Sequence, residues 1–208
     1  MTLQVWLAFI VAALLISLSP GPGAISCMAS GMRYGYRRTL ANIAGMQLGL
    51  ALQLLVVGVG LGALLAASSL AFELAKWFGV AYLCFLGWQQ FRTAGNPVEI
   101  GQQSQSPGTS RALVMHGFLV NASNPKATIF LMAVLPQFID AQAPALPQYL
   151  ICMATLAATD LVVMSGYALF AARALRLLRK PRQLRWMHRT FGALFLAAAG
   201  FLALFRRA

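Results

Sequence analysis

Apolar residues dominate six stretches of this chain, approximately Leu3 to Met32, Leu40 to Ser68, Phe72 to Phe91, Leu113 to Leu135, Tyr149 to Ala172 and Phe191 to Phe205. A bilayer core of ~30 Å is crossed by ~20 apolar residues in a helix, so each run reads as a transmembrane helix. Proline interrupts two of them: Ser19-Pro20-Gly21-Pro22-Gly23 lies within the first run and Asn124-Pro125-Lys126 within the fourth. Proline lacks the backbone donor and clashes with the preceding turn, so a helix stops there. In hydrocarbon every unpaired N–H or C=O is costly, and a break survives only where neighbouring protein or a polar cavity satisfies it. Pro20 and Pro125 stand 105 positions apart in a chain of 208 residues, one break per half. Such a pair points to a transport site.

The one extended polar stretch, from Arg92 to Arg111, is rich in Gly, Gln, Ser and Pro and reads as a flexible linker. It divides a single transmembrane domain, residues 1–208, into a first repeat of about 1–91 and a second of about 112–208. With three helices in each, the second repeat starts in the opposite orientation to the first. The expected fold is an all-α integral membrane protein, with six transmembrane helices arranged as two inverted three-helix repeats.

Composition agrees: 60% hydrophobic and 10% charged residues with a mean hydropathy of +0.72 exclude a soluble domain. The net charge of +12 would suit nucleic acid, but the placement of the basic residues speaks for a membrane instead. With the N-terminus outside, the inward loops hold Arg33, Arg37 and Arg38, then Arg92 and Arg111, then Arg173, Arg176, Arg179, Lys180, Arg182, Arg185 and Arg189. This is the positive-inside pattern. Between Arg173 and Arg189 the leucines and Trp186 alternate with basic residues, as suits an inner-leaflet interface. No basic residue precedes the first apolar run, which is expected to be retained as a helix rather than cleaved. Cys27, Cys84 and Cys152 are scattered singly and read as small core residues, with no metal cluster or cofactor indicated.

The second run carries Gly45-xxx-Gly49 and then Gly58, Gly60 and Gly62, a smooth surface for close helix contact within or between subunits of a homo-oligomer. Gln47 and Gln53 on the same run are polar glue or part of a polar path. Two formal charges fall well inside apolar runs, Lys126 and Asp160. A centred charge costs roughly 2.5 to 3.5 kcal/mol even on the lenient insertion scale, so each needs a partner or a cavity. They could neutralise one another as a structural pair, or serve a substrate and proton pathway. Turns beginning after Pro20, Pro22 and Pro125 would offer free N–H groups to a carboxylate, with Lys126 adding a point charge. Ser19, Asn124, freed carbonyls or Asp160 would take an ammonium group. A small zwitterion such as an amino acid matches a site with both polarities.

The segments LSPGPGAI, GYRRTLANIAGMQLGLA, AYLCFLGWQQFR, GFLVNASNPKATIFLMAVLPQF and TDLVVMSGYALFA together resemble the lysine exporter superfamily, and within it the homoserine and homoserine lactone efflux group. The resemblance runs from Leu3 to Leu204. It implies proton-driven export, as antiport, of amino acids or their derivatives (homoserine, homoserine lactone and threonine) across a bacterial inner membrane. Ser19, Pro20, Gly21 and Pro22 match the first signature; Asn124, Pro125 and Lys126 match the second. Many members place an acidic residue directly after the GxxxG of the second helix, where this chain has Leu50, which leaves Asp160 to carry the proton alone. Site residues expected to bind substrate are therefore Ser19, Pro20, Gly21, Pro22, Gln47, Asn124, Pro125 and Lys126, with alternating access between the repeats.

Rival readings are a membrane-embedded enzyme and a passive channel. The enzyme is poorly served: GxSxG, HExxH, CxxC and GxxxxGK are missing from the sequence, and His116 and His188 stand near expected helix ends, where interfacial roles fit.

Overall fold

The computed structural model describes residues 1–67, 69–92, 109–140, 142–171 and 181–204. Most of the linker expected between Arg92 and Arg111 lies outside them, as do Arg173, Arg176, Arg179, Lys180, Arg206 and Arg207. The described residues form seven α-helices and one short 3-10 turn: α1 Leu3–Leu18, α2 Pro22–Ala67, α3 Ser69–Arg92, α4 Ser110–Ala122, α5 Pro125–Val134 continued by the 3-10 turn Leu135–Phe138, α6 Ala145–Leu169 and α7 Pro181–Leu204.

All six apolar runs are helical, but their ends and interruptions differ from the sequence reading. The first run does stop at the SPGPG motif, where Ser19 is extended and its N–H bonds back to the Leu15 carbonyl. The fourth breaks at Asn124, whose side chain caps α5 by accepting from the Lys126 N–H at 3.2 Å, with Pro125 in the first helical position. A further interruption was not anticipated: within α2, Gly35 has φ 74° and ψ 167°, a backbone that only glycine adopts without strain. It separates a short helix, residues 22–34, from a long one, residues 36–67. The last helix begins at Pro181 rather than Phe191, taking Arg182, Arg185 and Arg189 into its first turns.

By length and apolar composition, two of the described helices can cross a bilayer, Pro22–Gly60 and Ala145–Leu169, and a third span arises if Ser110–Ala122 and Pro125–Phe138, bent by 51°, act together. Many outward positions are apolar. On α1, Phe9, Ala13 and Ser17 point inward while Leu3, Leu7, Val11, Leu14 and Leu18 are exposed, a surface suited to hydrocarbon.

Helix α2 packs on α4 and α6, α3 on α7 and α5, and α1 on α6. The glycine face expected on the second run is used within the subunit: a Cβ on Gly45 would overlap the Val114 carbonyl, and one on Gly49 would sit 2.9 Å from the backbone of Phe118 and Ala122. From the other side, Gly117 lies against the Asn42 carbonyl. Gly58 accommodates the Tyr149 ring, whose hydroxyl donates to the Leu54 carbonyl. Cys27 and Cys152 are buried as expected; Cys84 instead lies exposed on α3.

Candidate functional site

Breaking α1 at Leu18 leaves carbonyl groups with no partner in the helix. Two distant side chains supply donors. The Tyr167 hydroxyl, from α6, donates to the Leu18 carbonyl at 2.7 Å. The Lys126 ammonium, from the start of α5, donates to the Ser19 carbonyl at 2.8 Å and reaches the Ile16 carbonyl at 3.5 Å. The second break is repaired from the first half of the chain in return. Gln53 Nε2 donates to the Asn121 carbonyl and to Thr128 Oγ1, both at 2.8 Å, and lies 3.3 Å from the Asn124 carbonyl. Asn121 Nδ2 donates at 2.7 Å to the Met46 carbonyl, tying the end of α4 to α2. The two interruptions, far apart in sequence, therefore meet, and each half donates hydrogen bonds to carbonyls at the other's break.

Between them lies a cavity of about 60 Å³, whose walls include Ser17, Ser19, Gly21, Asn124, Lys126 and Asp160. Asp160 lies on the inner face of α6, one turn beyond the buried Leu156 and one turn before Met164. Its carboxylate does not take Lys126. Gln47 Nε2 donates to Asp160 Oδ2 at 2.8 Å, and the Ser17 hydroxyl is its other hydrogen-bonding neighbour. A structural Lys126–Asp160 pair, one of the two sequence readings, is replaced by two separately held charges.

Of the expected site residues, Ser19, Gly21, Asn124 and Lys126 line the cavity together with Asp160. Pro20, Pro22 and Pro125 are not part of its walls; Pro22 and Pro125 start α2 and α5. Gln47 is absent from the walls as well and acts on the cavity through Asp160. Leu50, the departure from the resembling family's pattern, is itself a wall residue.

A second polar connection has no signature along the chain, because its members lie on three separate segments. Gln90 Nε2, on α3, donates to Ser19 Oγ at 2.9 Å, and the Gln90 carboxamide oxygen meets His188 Nδ1 on α7. His188 is buried, which corrects the interfacial role expected of it. Tyr82, also on α3, donates to the Lys126 carbonyl at 3.3 Å. Ser17 carries no motif, and Gln90 and Tyr82, though they lie within the AYLCFLGWQQFR segment, are marked for this role only by their neighbours in space.

A model of the LysE type translocator family matches residues 14–205. This chain belongs to that family. It is accordingly a membrane transport protein and not an enzyme. Among its relatives, a homoserine/homoserine lactone efflux protein of Salmonella typhimurium is 44% identical over the full length of both chains. An uncharacterized membrane protein of Vibrio cholerae is 40% identical over 98% of each, and a leucine efflux protein of Klebsiella pneumoniae is 24% identical over 95% of this chain and 94% of its own. No solved structure matches this translocator.

The repair of the second break gives a direct stability test. Gln53→Leu keeps the volume but removes the donor shared by the Asn121 carbonyl and Thr128, which keep their other partners, the Asn124 N–H and the Asn124 carbonyl. The expected cost is about 0.5–1.5 kcal/mol, read as a lower melting temperature of the detergent-purified protein. An unchanged melt would show that Gln53 does not hold the break.

Proposed function

We propose that this chain is a secondary exporter of small amino acids or their derivatives. Its candidate cargo is homoserine, homoserine lactone and threonine, driven by proton antiport across a bacterial inner membrane. The observation that carries this reading is the meeting of the two helix breaks around one cavity, with Lys126 and the separately held Asp160 both in its walls. Two charged side chains held separately at the wall of one small space suit a small charged metabolite such as an amino acid.

The cavity, at about 60 Å³, has room for a few waters and not for an amino acid. Small-molecule sites run to ~300–1,000 Å³, so substrate requires the walls to move. Alternating access supplies that motion: the halves rock about the site, opening it to one side and then the other. Support for two inverted repeats, 1–91 and 112–208, comes from the reciprocal contacts. The first half's long helix, residues 36–67, packs on α4, the second half's α6 packs on α1, and α3 packs on α7. Each repeat contributes three spans, the first of each being a broken one. Arg33, Arg37 and Arg38 flank the Gly35 turn, Arg92 ends α3, Arg111 stands at the start of α4, and Arg182, Arg185 and Arg189 lie in the first turns of α7. With these on the cytoplasmic side, the N-terminus is outside.

Homoserine and its lactone share an α-ammonium but differ in whether the carboxyl is free. A site that accepts both reads the ammonium first. Asp160 is the proton carrier in this scheme, since it is the one acidic side chain in the cavity wall.

The test is a panel of labelled amino acids presented to inverted vesicles under an imposed pH gradient. Homoserine is expected to accumulate against its gradient, and an uncoupler to abolish the accumulation. Downhill flux that persists unchanged with the uncoupler would identify a passive channel instead.

A further inference from the structure

Lys126 occupies an unexpected place. It is the second residue of α5, at the end of that helix where the dipole repels a cation. Its side chain passes over Gly21, where a Cβ would lie 3.8 Å from both Cδ and Nζ, and delivers the ammonium to the opposite kind of helix end, the carbonyl terminus of α1. That terminus presents the carbonyls of Ser19 and Ile16 to a single cation. No carboxylate is involved, because Asp160 is held by Gln47. Such a neutral carbonyl seat distinguishes poorly between one primary ammonium and another. It recognises three N–H donors and a positive charge, which a lysine side chain and an amino acid's α-ammonium share.

We propose that Lys126 is a built-in stand-in for the substrate, its ammonium filling the seat at the end of α1 that the substrate's α-ammonium takes during transport. The inference rests on the exporter reading and names the group that this site recognises. In the closed arrangement the lysine fills the seat, satisfies the carbonyls of the break and leaves the cavity too small for cargo. An incoming ammonium compound displaces it, and the flexible four-carbon stem lets the lysine swing into the cavity on the side of Asp160. When cargo leaves, the lysine returns and closes the empty carrier. The ligand class is a primary ammonium compound, with its carboxyl free or esterified, as the seat contains no group that reads the carboxyl.

The inference also says what removing the side chain does. A receptor whose competent form is only a fraction of the total shows an apparent affinity reduced by that fraction. If the lysine fills the seat about nine-tenths of the time, Lys126→Ala should bind L-homoserine about tenfold more tightly than the unaltered protein. A direct carboxylate contact by Lys126 predicts the reverse, weaker binding.

The experiment uses the full chain purified in detergent, with L-homoserine and n-propylamine as probes, and compares the unaltered protein with Lys126→Ala. Propylamine, which has an ammonium and no carboxyl, is expected to raise the melting temperature of Lys126→Ala, to leave the unaltered protein unmoved, and to compete with L-homoserine in the variant. Propylamine that stabilises Lys126→Ala without displacing L-homoserine would make the lysine a structural cap only and overturn the proposal. Weaker L-homoserine binding by the variant would overturn it as well. Should Lys126→Ala not fold, Lys126→Met, which keeps the stem without the charge, is read in the same way. Failure of the unaltered protein to bind any amino acid of the panel would strike the exporter reading itself, whereas normal binding with either adverse result strikes only the role given to Lys126.

Discussion

Asp160→Asn is expected to abolish pH-driven accumulation while leaving the protein folded. Asparagine keeps an oxygen that accepts from Gln47 Nε2, the 2.8 Å contact that holds the carboxylate now, so the packing of α6 on α2 has no reason to change. What is lost is the ability to take up and release a proton. If one proton enters for each neutral zwitterion exported, ~150 mV supplies ~3.5 kcal/mol, enough for a gradient of several hundredfold at ~1.4 kcal/mol per factor of ten. In the variant that ratio should fall to about one, since nothing then couples cargo to the proton gradient. Inverted vesicles with labelled L-homoserine measure it: accumulation disappears, whereas exchange of internal for external label persists because substrate binding is intact. Asp160→Glu, which retains a carboxyl, should keep part of the accumulation. Undiminished accumulation by Asp160→Asn would remove this residue from the proton path.

The largest loss of stability is expected from Gly117→Ala and Gly45→Ala. Each added methyl meets backbone rather than a movable side chain: the Asn42 carbonyl in the first case and the Val114 carbonyl in the second. Rotamer changes cannot relieve such an overlap, so α2 and α4 must separate. Separation also breaks the 2.7 Å bond from Asn121 to the Met46 carbonyl and pulls Gln53 from the second helix break. Overpacking alone costs about 1–3 kcal/mol, and losing buried hydrogen bonds adds to it, bringing the total to roughly 4 kcal/mol or more. The folded yield in detergent and the melting temperature should both drop sharply. Gly60→Ala on the same helix is the control, because a Cβ there has nothing within 4 Å. Its effect should be near zero or slightly favourable, as alanine is the better helix former by about 1 kcal/mol. Equal losses at Gly60 and Gly117 would show that close approach of α2 and α4 is not what the glycines provide.

Helices, breaks and the two charges inside apolar runs were legible because each has a local cause. Proline ends a helix wherever it occurs, and a run of some twenty apolar residues is helical in hydrocarbon for want of any other way to pair its backbone. Gly45 and Gly49 announced a close contact for the same kind of reason, the absence of a side chain. Gly35 was not legible, since a left-handed turn and a packing surface both call for glycine and nothing nearby distinguishes them. The start of α7 is invisible to apolar patterning, because its first turns carry arginines.

Who faces whom was decided by the tertiary structure alone. In a soluble helix the polar face declares which side is inward, but α1 is apolar over most of both faces, and its buried Phe9 and Ala13 look no different in sequence from the exposed Leu7, Val11 and Leu14. Hence the sequence by itself determined that two broken helices and two charged side chains had to find polar partners inside the membrane. Only the packed molecule decided that Lys126 goes to the carbonyls of Ser19 and Ile16, Gln53 to those of Asn121 and Asn124, Asp160 to Gln47, and His188 to Gln90. A hydrogen bond is specific to atoms brought within about 3 Å, and no pattern along one chain records which distant segments are folded to that distance.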